Sequence, residues 1–241
     1  MKNIKFFLSH TLAEQASKPI REKSEVIHLL LAALQEIIFA DESIDNNLGY
    51  GELLVDKSSR LTFTLQREDG TVHKRFSFSF PFQLIEQPNP ELLTTWIIVD
   101  NYIEIDSQII SVLTSLSNEK WFEDSIDDSS EPLMFYEQIL VAVKEANLSI
   151  ITDKEIWHLV RKLFLFEPGY LRYDFDETDR ASPIFHPIHH LDIFFSNRAT
   201  FKLGLFDSVI QKKEWSLTGL ENILNSSYPC FYVHENHLEK R

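Results

Sequence analysis

The sequence predicts an α+β fold: a single domain over residues 1–241, built on an antiparallel sheet with helices packed on one face. Three observations carry that expectation. Residues 61–82 alternate apolar and polar side chains on either side of Asp69-Gly70, the pattern of two strands joined by a tight turn. Residues 22–40, residues 132–147 and the stretch after Thr152 repeat apolar side chains at the helical period of about 3.6. Strands and helices do not alternate in regular βα order, so the sheet is expected to be antiparallel.

The elements follow in chain order. Val26, Leu29, Leu30, Ala33, Leu34, Ile37 and Ile38 form one stripe, with Glu22, Lys23, Glu25, Gln35 and Glu36 between them, so 22–40 is an amphipathic helix. Its exit loop runs from Asp41 to Gly51. In the hairpin, Leu61, Phe63 and Leu65 alternate with Thr62, Thr64 and Gln66. On the return, Phe76, Phe78, Phe80 and Phe82 alternate with Arg75, Ser77 and Ser79. One face is apolar and the other polar, as in a sheet covered on one side. Pro81 marks an edge or the end of that strand.

Residues 94–105 read as a strand pair, and Ser107 to Leu116 as a short helix. Glu119, Glu123, Asp124, Asp127, Asp128 and Glu131 face only Lys120 in the segment 117–131. That segment reads as a solvated acidic loop, with a docking surface for a basic partner as the alternative, and it is the place for any internal boundary. Leu133, Tyr136, Ile139, Leu140 and Val143 stripe the next helix. Thr152 and Glu155 have capping-box spacing before Ile156, Leu159 and Leu163, so a third helix starts there, with Trp157 as a core anchor.

Composition narrows the partners. An apolar fraction of 44% and a charged fraction of 25% are those of an ordinary globular protein. No apolar run approaches the ~18–20 residues of a membrane span. The N-terminal Ile4 to Leu8 stretch ends at Ser9-His10, short of a signal peptide core. Cys230 is the single cysteine, which rules out an internal disulfide and fits a reducing cytoplasm. The formal net charge of −14 disfavours direct nucleic-acid binding and favours a protein partner with a basic surface.

Candidate chemistry gathers in the C-terminal third. If 171–176 is a strand, Arg172, Asp174 and Asp176 share one face, and Tyr173 and Phe175 the other. If 185–193 is the next strand, His186, His190 and Asp192 fall on one face and His189 on the opposite one, with Pro187 between them. A connection of roughly eight residues is within reach of a hairpin. Three chemistries are open to such a group. His186, His190 and Asp192 could hold a divalent metal that activates water, with Arg172 and Asp192 binding a ligand. Asp174, Asp176, His186 and His190 could instead work as general acids and bases. The same residues could also form a structural network of hydrogen bonds and ion pairs closing the hairpin.

Arg172, Tyr173, Asp174, Phe175, Asp176, His186, Pro187, His190 and Leu191 resemble the core pattern R-[FY]-D-x-D…H-P-x-x-H-L of an uncharacterised bacterial family of unknown function. His189 stands where that family usually carries Ser, and of its later C-R-I-P element only Arg198 has a counterpart. The resemblance implies a bacterial cytoplasmic protein from a toxin–antitoxin or phage-defence setting. Two function classes follow: a partner-binding component of such a system, or a hydrolase or nuclease using the cluster of residues 172–192.

Overall fold

The computed structural model describes residues 2–20, 22–39, 48–55, 59–87, 95–118, 132–146, 152–177, 187–196 and 199–204. The chain opens with β1 (Lys2–Phe7), α1 (His10–Ser17) and α2 (Lys23–Ile38), then runs through β2 (Gly49–Val55), β3 (Arg60–Gln66) and β4 (Val72–Ser79). Next come β5 (Gln83–Gln87), β6 (Thr95–Asp100), β7 (Ile103–Glu104) and α3 (Ser107–Asn118). The remainder is α4 (Pro132–Glu145), α5 (Asp153–Leu165), β8 (Tyr170–Phe175), β9 (His189–Ser196) and β10 (Ala199–Gly204).

Two antiparallel sheets result. The larger has seven strands in the order β1-β2-β3-β4-β8-β9-β10, and the smaller has β5-β6-β7. The α+β class with helices on one face is therefore the observed architecture. The β3–β4 turn is the one expected. Asp69 Oδ1 accepts from the Thr71 N–H at 2.8 Å, and Gly70 takes φ +82°. In β3–β4, Phe63 lies opposite Phe76 and diagonal to Phe78, and its ring stacks on theirs at centroid distances of 4.7 and 5.9 Å. This face meets Val26, Leu30 and Leu34 of α2 and Ile156, Leu159 and Leu163 of α5 in one core. Thr152 caps α5 with a complete capping box, as its spacing predicted.

Several readings change. The N-terminal stretch, given no element above, is a strand, β1, paired with β2. Its weak apolar pattern is explained by position, since β1 lies at the end of the sheet order. β4 stops at Ser79, and Phe80 and Phe82 flank Pro81 at a buried corner leading into the second sheet. The polar face of β3–β4 is buried too: Thr62, Thr64, Ser77 and Arg75 are at most 9% exposed. Ser77 Oγ donates to the Leu61 carbonyl at 3.0 Å and accepts from Arg60 Nε at 2.9 Å, so its hydroxyl is satisfied there. Trp157 is 37% exposed, because it follows Ile156 by one residue and turns off the buried stripe of α5. Most of the acidic segment 117–131, His186, and everything after Gly204 lie outside the described residues.

Two glycines permit the β1–β2–β3 packing. A Cβ on Gly51 would stand 2.1 Å from the Phe6 ring, and one on Gly49, at φ +133°, would stand 2.1 Å from the Thr64 carbonyl oxygen. Gly49→Ala is expected to be the more damaging change, since its obstacle is backbone and its φ excludes a side chain. Each should destabilise by roughly 1–3 kcal/mol, measured as a loss of free energy in urea unfolding. Unchanged midpoints would refute this packing.

Candidate functional site: a buried charge cluster across two strands

Register assembles the cluster. The β8–β9 ladder sets Arg172 opposite Asp192 and Asp174 opposite His190, and the β4–β8 ladder sets Lys74 opposite Asp174. Residues directly opposite in an antiparallel pair share a face, so all five project from the side that also carries Phe76. Alternation sends Tyr173, Phe175 and His189 to the other side. There Tyr173 Oη and His189 Nδ1 share a hydrogen bond of 2.8 Å, and the His189 ring stacks on Phe175 at 4.9 Å.

The contacts centre on Arg172. Its Nε and Nη2 both lie 2.8 Å from Asp174 Oδ2, and Nη2 also pairs with Asp192 Oδ2. His190 Nε2 is 3.3 Å from the same Asp174 oxygen, while His190 Nδ1 is 2.8 Å from the Pro187 carbonyl. Arg172, Asp174 and His190 are 5%, 8% and 2% exposed, so none of these charges can rely on bulk water. Lys74, also buried, donates to the Ser17 carbonyl and so ties the sheet to the end of α1.

Electrostatics follow from that crowding. Burial alone would raise the Asp174 carboxyl; the His190 hydrogen bond and the charges of Arg172 and Lys74 outweigh it and hold the group below its ordinary range. Burial alone would lower His190, but the Asp174 and Pro187 acceptors and the nearby carboxylates raise it. Burial likewise opposes the charge on Arg172, and Tyr170, Asp174 and Asp192 overcome it and raise the group. The Tyr170 hydroxyl is pushed up, chiefly by burial. His73 is lowered by burial and by Lys74 and Arg67, against the pull of Asp174 and Asp176.

The sequence brought four of its six candidates together: Arg172, Asp174, His190 and Asp192. Asp176 lies just past the end of β8, where its N–H donates to the Ile188 carbonyl at 2.8 Å. His186 is outside the described residues. Sequence reading missed Lys74 and Tyr170, because only the β4–β8 register, spanning almost a hundred residues, places Lys74 beside Asp174. It also missed a second cluster in which Asp100, at the end of β6, accepts from Lys162 and lies 2.8 Å from His158 Nε2. His158 and Lys162 are four apart on α5 and share a face, which is the available signal; Asp100 had none.

Chemically, the carboxylates can supply metal ligands. One ligand atom from each of Asp174, His190 and Asp192 lies within 4.8 Å of the others. Yet Arg172 already bridges both carboxylates, so a divalent cation there would meet a fixed guanidinium. No protein-family model, no curated protein and no solved structure matches this chain. Among the described residues, no helix is long and apolar enough to cross a membrane.

Two outcomes are expected. Arg172→Ala leaves two buried carboxylates facing each other and should cost about 3–5 kcal/mol, a fall in Tm of roughly 6–20 °C; a variant melting with wild type would remove Arg172 from the brace. The second outcome concerns pH. A raised His190 contributes stability below its unfolded value of 6.5 that is lost as pH rises through the folded value. A lowered Asp174 contributes stability above 3.8 that is lost as pH falls through its folded value. The wild-type Tm should therefore decline as pH rises above about 6.5, and His190→Gln should flatten that limb while leaving the acid limb in place.

Proposed function

We propose that this chain is a partner-binding protein, with the Arg172 cluster serving as a structural brace rather than as a catalytic centre. The observation that carries the reading is the guanidinium that both carboxylates hold, although Asp174 Oδ1 is buried with no hydrogen-bond partner among the described residues. Arg172 is shared by Asp174 and Asp192, and both His190 ring nitrogens face acceptors. A general base needs a free lone pair directed at substrate, which His190 lacks while both its ring nitrogens are engaged, and a metal ion at the carboxylates would meet the Arg172 charge. Near-complete burial supports the same reading, since a substrate must reach the reacting groups. The partner is a protein with a basic surface, the complement of a net charge of −14. The setting is bacterial and cytoplasmic, in a toxin–antitoxin or phage-defence system, as the 172–192 pattern suggests by resemblance.

One observation favours a second reading, a metal-dependent hydrolase or nuclease: the closeness of the Asp174, His190 and Asp192 ligand atoms. The two readings separate in one set of melts and one binding assay. Under the brace reading Mg²⁺, Mn²⁺ and Zn²⁺ leave the wild-type Tm unchanged. Under the metal reading one of them, at about 100 times its dissociation constant, stabilises by about 2.7 kcal/mol, and His190→Ala abolishes the gain. Calorimetry against the purified products of the flanking genes should then find a basic protein that binds more weakly as salt rises. Binding by none of them, or a metal shift lost with His190, would overturn the brace reading.

A further inference from the structure

Away from the Arg172 cluster, a hollow of about 690 Å³ lies between the β6–β7 turn and the C-terminal half of α5. That volume suits a small organic molecule. Asn101, His158, Arg161 and Lys162 line its polar side, and Pro81 and Leu165 part of its apolar side.

Asp100 organises this wall. Its carboxylate, 4% exposed, accepts from Lys162 with Oδ1 and contacts His158 Nε2 at 2.8 Å with Oδ2. Both basic side chains stay about one-third exposed and are held in place before anything binds. Asp100 balances one positive charge. Arg161, on the same wall, makes no ion pair among the described residues, so the hollow keeps an uncompensated guanidinium in a chain of net charge −14. Such a fork with five N–H donors matches two oxygens of one oxyanion.

The turn that supplies Asn101 is strained. Asn101 and Tyr102 have φ of +47° and +74°, and Tyr102 occupies the second position, where such two-residue turns favour glycine. Tyr102 is fully exposed, so no packing of its own ring offsets that strain. Strain of this kind, of order 1–3 kcal/mol, gathers at ligand clamps.

We propose that this hollow binds the oxyanion end of a small organic anion, gripped by Arg161 with the pre-positioned Lys162 beside it. The site is independent of the Arg172 cluster and of the partner reading above. Carboxylate and phosphoryl groups both present the paired oxygens, and the test separates them. The full-length chain, ¹⁵N-labelled at low ionic strength, is titrated with inorganic phosphate and, separately, with succinate. The expected result is saturable movement of the Asn101, Arg161 and Lys162 amides with at least one probe. Saturation by phosphate alone assigns a phosphoryl ligand, and by succinate alone a carboxylate. Arg161→Ala and Arg161→Gln, both at an exposed position, should keep the wild-type Tm and raise the dissociation constant about tenfold or more. Lys18→Ala, at a lysine paired with Glu14 elsewhere on the surface, should change nothing. No saturation with either probe, equal affinity in the Arg161 variants, or an equal loss with Lys18→Ala would each overturn the assignment.

Discussion

Arg172 is a full positive charge buried inside a sheet, and the arrangement around it follows from the need to neutralise it. A guanidinium at 5% exposure has given up most of its hydration, and only fixed counter-charges can replace that. Asp174 comes from its own strand and Asp192 from the next one. The β8–β9 register is thereby specified twice, by the ladder and by the charges. A slip of one residue would carry Asp192 to the opposite face and leave Arg172 with one partner.

The same constraint reaches beyond the hairpin. β8 is where the C-terminal strands join the N-terminal ones, through four residue pairs with β4. Lys74 stands in that junction opposite Asp174 and donates to the last turn of α1. Charges and stacked rings share one side of that junction, with Phe63 on Phe76 and Phe76 against Tyr170 beside the Arg172 cluster, and make it a mixed seam. Hydrophobic burial gives such a seam its strength without direction, whereas the ion pairs define which residues may face each other.

Asp100 applies the same principle at the surface with a different result. It too is buried and held by two basic groups, but they come from one helix face and remain open to a hollow. In the Arg172 cluster the positive charge is enclosed by acids. Around Asp100 the acid is enclosed by bases, and the excess positive charge faces outward. A closed cluster stabilises a fold; an open one offers donors to a ligand.

Local chemistry made much of this legible in the sequence. Period-3.6 stripes marked α2 and α5, the Thr152–Glu155 spacing marked the start of α5, and Asp69-Gly70 marked the hairpin, because each signal lies within a few residues. Parity along β8 and β9 put Arg172 and Asp174 on one face and His190 and Asp192 on one face, since a strand repeats every second residue. Whether those two faces were the same, and whether Lys74 and Tyr170 joined them, depended on pairing across long loops. β1 is only six residues long and ends in adjacent Phe6 and Phe7, which blur its alternation, and Asp100 looked like any acid before a turn. The sequence by itself determined which elements form and which residue types each face carries; the tertiary structure alone decided which charges meet and which stay open, because those contacts arise from register and packing between segments far apart in the chain.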